Sequence, residues 1–228
     1  MRPAAPARAA VALPGVLLTG FDAFGGDRLN PSTLAVQALH GKRIAGHRVV
    51  AAELPTMFDA SLAALQALLH QHKPALVVCV GQAGGRAALS LERVAININD
   101  ARIADNAGAG PVDTPVAAGG PTAYFSSLPI KAMLLALQRE GIAAEVSQTA
   151  GTFVCNHVFY GLMHALATQR GFARTRGGFV HVPWLPGQGE PSMPLEDMVR
   201  GLKVALKSAL DHSLKKGGDA RVGAGAVS

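Results

Sequence analysis

"ALVVCVG" (residues 75–81) is a run of seven residues with no charge and no turn former before its final glycine. A continuous apolar run of this length is what a strand buried on both faces looks like, the situation of the inner strands of a parallel sheet. Such a strand needs a helical layer on each side, so this short run decides the fold class. The segment before it, "FDASLAALQALLHQH" (58–72), sets Phe58, Leu62, Leu65 and Leu69 on one helical face. Further out, strands are expected at 15–21, 48–54, 92–98, 143–149 and 177–184. Helices are expected at 31–40, 128–141, from Cys155 onward and at 194–210. Pro31 suits a helix start, Gly141 a helix end, and Pro183 stops the last strand. The alternation predicts an α/β fold with a mostly parallel sheet between helical layers.

No internal repeat or composition break divides residues 15–212, which read as one domain. Residues 1–14 and 213–228 read as flexible tails, the first interrupted by Pro3, Pro6 and Pro14 and without the apolar core of a signal peptide. The 228 residues are 49% hydrophobic, enough for a sizeable core, and no apolar stretch is long enough to span a membrane. Two cysteines do not make a disulfide framework, and a reducing compartment fits. The net charge of +6 suggests nucleic acid, but four of those charges belong to residues 1–14 and 212–228. Aromatic residues are only 5%, and no basic stripe with interleaved aromatics appears, so a nucleic-acid partner is not expected.

Chemistry concentrates in "TAGTFVCNHVFYGL" (149–162). Cys155 follows a Gly-containing turn and opens a helical pattern. A helix N-terminus carries partial positive charge and free N–H groups, which lower a thiol pKa and can hold an oxyanion. The competing reading is a small buried residue at a helix start. Cys79, inside "LVVCV", reads as core. His157 is two positions from Cys155 and His164 nine, and neither spacing brings a helical side chain to the thiol. His181 in "FVHVPW", near the end of the next strand, is the better base, and Glu92 is the acceptor that could orient it. Glu92 is taken to begin its strand, and the adjacent Arg93 is an alternative partner for it. The 22-residue segment 100–121 is long for an irregular loop, and such loops are often functional.

Two Gly-rich segments follow strands. "GFDAFGG" (20–26) does not match the dinucleotide fingerprint, and its Phe21 and Phe24 could line an apolar pocket. "GQAGGR" (81–86) lacks the ending of a P-loop. Either could hold an anion, which leaves open a phosphorylase-like α/β protein binding a nucleoside or phosphate, with Cys155 structural. A scaffold without chemistry is a third reading.

The stretches "LLTGFDAFGGDRLNPS", "LPTMF", "VCVGQAGGRAALSLERVAININDARIADN", "GGPTAYFSSLPIK", "SQTAGTFVCNHVFYGLM" and "GGFVHVPWLP" run from Leu17 to Pro186. Together they resemble the pyroglutamyl-peptidase I (pyrrolidone-carboxylate peptidase) family of cysteine peptidases. The resemblance implies a three-layer α/β/α sandwich and a cytoplasmic thiol protease without a cofactor or metal, commonly a tetramer. It implies a Cys155–His181–Glu92 triad acting on peptides with N-terminal pyroglutamate. It also implies Phe21 and Phe24 as walls for the pyroglutamyl ring, with Gln82, Thr56, Phe153 and Val154 lining the pocket. Asn30 and Arg102 are implied as polar groups near the site, Arg102 near the oxyanion.

Overall fold

The computed structural model describes residues 15–213 and 218–226. Its strands are β1 (Val16–Phe21), β2 (Arg43–Ile44), β3 (His47–Leu54), β4 (Leu76–Gln82), β5 (Leu89–Glu92), β6 (Val94–Ile96), β7 (Ala123–Phe125), β8 (Ala144–Ser147) and β9 (Arg176–Val182). Its α-helices are α1 (Pro31–Gln37), α2 (Phe58–His72), α3 (Ile130–Arg139), α4 (Val154–Thr168) and α5 (Leu195–Ser213). Seven strands form one sheet in the order β2-β3-β1-β4-β9-β5-β8, and β6 pairs with β7 in a separate hairpin.

The run at 75–81 becomes β4, buried along all but its last residue and flanked in parallel by β1 and β9. Side chains alternate across it. Val77 and Cys79 join Leu17, Phe21 and Phe179 in the core under α2 and α4, while Leu76, Val78 and Val80 join the core under α1, α3 and α5. This is the expected sandwich. On α2, Phe58, Leu65 and Leu69 are buried as the spacing predicts, and each such side chain contributes about 1.5–3 kcal/mol of burial.

Three expectations change. The strand read at 92–98 is two strands: Glu92 ends β5 and does not begin a strand, and β6 leaves the main sheet. β5 and β8 are parallel to each other, but β5 is antiparallel to β9, so both run against β3, β1, β4 and β9, as the short β2 also does. The carboxyl end of the strand before Cys155 therefore points away from the carboxyl ends of β4 and β9. Cys155 reaches that edge because residues 148–153 turn back and α4 starts there.

The third change is at the C-terminus. Residues 218–226, expected within a mobile tail, lie against the domain. Asp219 accepts the N–H groups of Lys131 and Ala132 at 2.8 and 2.9 Å, capping α3, which has no side-chain cap of its own. Lys131 Nζ donates to Val222 O at 2.7 Å, and Ala224 packs on the core. The expected tail at 1–14 lies outside the described residues.

Candidate active site

In the sheet order β9 lies between β4 and β5. His181 pairs with Gly81 on one side and Ser90 on the other. Paired residues project to the same face, and so do residues two apart in a strand. His181, Glu92, Phe179 and the α-carbon hydrogen side of Gly81 therefore all face α4. His181 Nδ1 is 2.8 Å from Glu92 Oε1, and both side chains are buried. Cys155 occupies the opposite flank. Its Sγ sits so close over Gly81 that a Cβ at that position would be 2.7 Å from it. Adjacent strands are about 4.8 Å apart, so thiol and imidazole are neighbours across one strand spacing. With Nδ1 taken by Glu92, Nε2 is the ring nitrogen left for the thiol side.

α4 starts here because Phe153 is extended and Val154 takes the first helical position. The first backbone bond into the helix is from His157 N to Phe153 O, so the N–H groups of its opening residues have no partner within the helix. The thiol does not follow the expected downward shift. Desolvation pushes Cys155 up to about 12; the Glu92 carboxylate adds to this and Arg86 opposes it. Burial also pushes Cys79 up to about 12, with a smaller opposing hydrogen bond from Thr19. What separates the two cysteines is access: Cys79 is buried, and Cys155 keeps part of its surface open.

Arg86, which the sequence reading did not single out, lies beside Glu92. Its Nη1 is 2.6 Å from Glu92 Oε1, the oxygen that also meets His181, and its Nη2 donates to Thr149 O at 3.0 Å. Arg93, the neighbour considered for this role, donates instead to Gln148 Oε1 at 2.8 Å and Ala224 O at 3.3 Å. The available signal was that Arg86 is the one cation in the Gly-rich segment leading to Glu92.

His157 and His164 stay out of the site, as their spacing requires. His157 is buried, with Nδ1 2.9 Å from Asn99 Oδ1 and its ring edge-on to Phe58; desolvation pulls it down to about 4, so it is neutral. His164 Nδ1 lies 2.9 Å from the Tyr124 hydroxyl.

The pocket beside Cys155 differs in detail from expectation. Phe21 is only 2% exposed and packs on Phe179 at 6.3 Å, so it backs the site from the core. Phe24 is half-buried and faces Phe153 at 6.2 Å, and Phe58 meets Phe153 edge-on at 5.4 Å. Of these rings, Phe24 and Phe153 are the ones that keep part of their surface open. Asn30 caps α1 through Oδ1 and donates Nδ2 to Asp22 O at 2.9 Å. Thr56 donates its N–H to Asp22 Oδ1 at 2.7 Å and its hydroxyl to Asp22 O at 3.2 Å. Both residues hold the loop that carries Phe24. Gln82 donates Nε2 to Asp27 at 3.3 Å, while its Oε1 is buried without a partner. Val154 is fully buried at the first position of α4. Arg102 is exposed and lines a cavity of about 380 Å³ with Asp100, Ile103, Gly151, Thr152 and Phe153.

The long 100–121 segment bridges these parts. Asp105 accepts the N–H of Phe58 at 2.9 Å, capping α2, and the N–H groups of Ala107 and Ala109 at 2.8 Å. Burial alone would raise its carboxyl, but these backbone donors outweigh burial and hold it below the usual value. Asn106 Nδ2 donates to Ala23 O at 2.8 Å, and Thr152 Oγ1 to Asp100 O at 2.7 Å. The loop therefore joins the Phe24 loop to the approach of α4.

The phosphate- or nucleoside-binding alternative finds no support. The 20–26 loop presents Phe24, and in the 81–86 loop Gly84 is covered by the Trp184 ring while Arg86 turns to a carboxylate. Among the described residues no group of three or more His, Cys, Asp or Glu side chains could hold a metal ion.

Comparison with known proteins agrees along most of the chain. The family described as pyroglutamyl peptidase matches residues 15–212. A pyrrolidone-carboxylate peptidase of Cupriavidus pinatubonensis is 58% identical over 200 residues, covering 86% of this chain and 92% of the relative. One of Klebsiella pneumoniae is 53% identical over 218 residues, covering 93% and 99%. The crystal structure of pyroglutamyl peptidase I from Bacillus amyloliquefaciens superposes with a TM-score of 0.88 at 45% identity, covering 92% of this chain and all of that one.

Proposed function

The chain belongs to the pyroglutamyl peptidase family, and from that premise we propose that it removes N-terminal pyroglutamate from peptides with Cys155 as nucleophile, His181 as base and acid, and Glu92 as the group that orients His181. What supports this reading is the contact of His181 on β9 with Glu92 on β5, together with Cys155 of α4 set against Gly81, the β4 residue paired with His181.

Because burial keeps the thiol protonated at rest, the proton leaves as the sulfur attacks. His181 Nε2 takes it while Sγ adds to the pyroglutamyl carbonyl. The N–H groups opening α4 receive the oxyanion. His181 then gives the proton to the departing amine, leaving a thioester. Water attacks the thioester with His181 as base, releasing pyroglutamate and restoring the thiol. Glu92 holds Nδ1–H throughout and so fixes the tautomer that presents Nε2.

Specificity comes from a lactam that has no ammonium group. The half-buried Phe24 and Phe153 suit a flat uncharged ring, and the unpartnered Gln82 Oε1 can accept its N–H. We read Arg102 as a group at the rim and residues 15–212 as the catalytic unit. No helix among the described residues is long and apolar enough to cross a membrane, and we place the enzyme in the cytoplasm. We read the chain as assembling with copies of itself, which sedimentation would test.

The decisive experiment is release of a fluorophore from a pyroglutamyl amide by the wild type, Cys155→Ser and His181→Ala. Wild-type turnover and loss in both variants is expected, with iodoacetamide blocking the wild type by modifying Cys155. Undiminished turnover by Cys155→Ser would overturn the assignment.

A further inference from the structure

Glu92 is a fully buried carboxylate, and a carboxylate out of water needs a counter-ion. Its Oε1 receives two donors, His181 Nδ1 and Arg86 Nη1, at 2.8 and 2.6 Å, while Oε2 is buried without a partner. All of its pairing is therefore concentrated on one oxygen, shared between one permanent cation and one imidazole. Arg86 is also only a quarter exposed and uses its second nitrogen on Thr149 O, in the turn that delivers α4 and Cys155. One side chain thus spans the β4–β5 loop, the orienting carboxylate and the approach to the nucleophile.

We propose that Arg86 is a positioning residue: its guanidinium is the counter-ion of Glu92, so that this charge need not come from His181, and it fixes the Thr149 turn from which α4 presents Cys155. This rests on the catalytic roles given above. The groups around His181 are Glu92 from β5, Arg86 from the β4–β5 loop on the same carboxylate oxygen, and Cys155 from α4 against Gly81, the β4 residue paired with His181, with Asp27 beyond Gln82 at the end of β4. Arg86 is the permanent cation among them. Arg93 cannot replace it, since it is bound to Gln148 and Ala224. Without Arg86, the cation left to meet the carboxylate is protonated His181. The imidazole would then hold its proton to higher pH and fail as a base over that range.

The test is the pH profile of kcat/KM on a pyroglutamyl amide for wild type, Arg86→Gln and Arg86→Lys. In Arg86→Gln the acid limb should move upward by about one pH unit or more, the usual effect of removing a neighbouring charge. Arg86→Lys keeps the charge, so its limb should stay at the wild-type position. Its maximum should be lower, because one ammonium cannot reproduce the planar fork that holds both Glu92 and Thr149. A purely structural role would lower the whole profile without moving the limb, and that result would overturn the proposal, as would a downward shift or a limb that moves equally in both variants. A melting cycle with Glu92→Gln needs no activity. Arg86→Gln should destabilise the wild type clearly more than the Glu92→Gln background, where only the bond to Thr149 O is lost. If Arg86→Gln alone does not fold, the double variant should. Equal destabilisation in both backgrounds, or failure of the double variant to fold, would refute the counter-ion role. Failure of the catalytic reading would look different: no turnover by the wild type, or full turnover by Cys155→Ser.

Discussion

Gly81→Ala is the smallest change that reaches the proposed nucleophile. The glycine is not at a positive φ, so the backbone accepts alanine, and the effect comes from the added methyl alone. That carbon would lie 2.7 Å from Cys155 Sγ and 2.8 Å from the tip of the Phe179 ring. Ordinary contact begins at 3.4 Å, so the sulfur must retreat by at least 0.7 Å. Phe179 cannot absorb the strain, being fully buried between Phe21, Phe159 and His181. Overpacking of this kind costs about 1–3 kcal/mol of stability. A nucleophile displaced by close to an ångström loses on the order of 100-fold in rate. In a fluorogenic pyroglutamyl amide assay kcat should fall by about that factor, with KM changed much less, because Phe24 and Phe153 stay in place. Thermal melting run in parallel separates this from unfolding. A folded Gly81→Ala enzyme with wild-type kcat would refute the placement of the thiol against β4.

Three further outcomes follow from other parts of the molecule. His157 is depressed from 6.5 to about 4 by burial, so between those values the unfolded chain binds a proton that the folded one does not; the stability due to neutral His157 is complete above about pH 6.5 and is lost as pH falls toward 4. The loss is on the order of 3 kcal/mol, and His157→Gln should flatten the fall in Tm across that window; an unchanged slope would contradict the buried neutral imidazole. Asp219→Ala removes the cap from α3 and should cost about 1 kcal/mol, seen as a Tm lower by a few degrees with kcat/KM intact; an unchanged Tm would show that the 218–226 segment is not docked in solution. Phe24→Ala should raise KM for pyroglutamyl amides and narrow their advantage over glutaminyl amides, measured as a ratio of kcat/KM; an undiminished ratio would remove Phe24 from the pocket wall.

The apolar run at 75–81 and the spacing of Phe58, Leu65 and Leu69 determined a doubly covered strand and the helix before it, because burial periodicity is a property of the chain itself. That His181, and not His157, pairs with Glu92 agrees with the spacing, since residues two apart on a helix do not face each other, whatever the fold. Strand direction was not legible. The segment Leu89–Glu92 would be equally buried running either way, so only the ladder with β9 shows that β5 is reversed and that Glu92 stands at its end. The counter-ion of Glu92 was also decided in three dimensions. Arg93 is nearer in sequence, but successive residues of an extended chain point to opposite faces, which sends it away from the carboxylate and leaves Glu92 to Arg86 from the loop before β5. The thiol's protonation state was the farthest from reach. A helix start argues for a lowered value, but desolvation over Gly81 and the nearby Glu92 carboxylate prevail, and both exist only once β4, β5 and α4 have packed together.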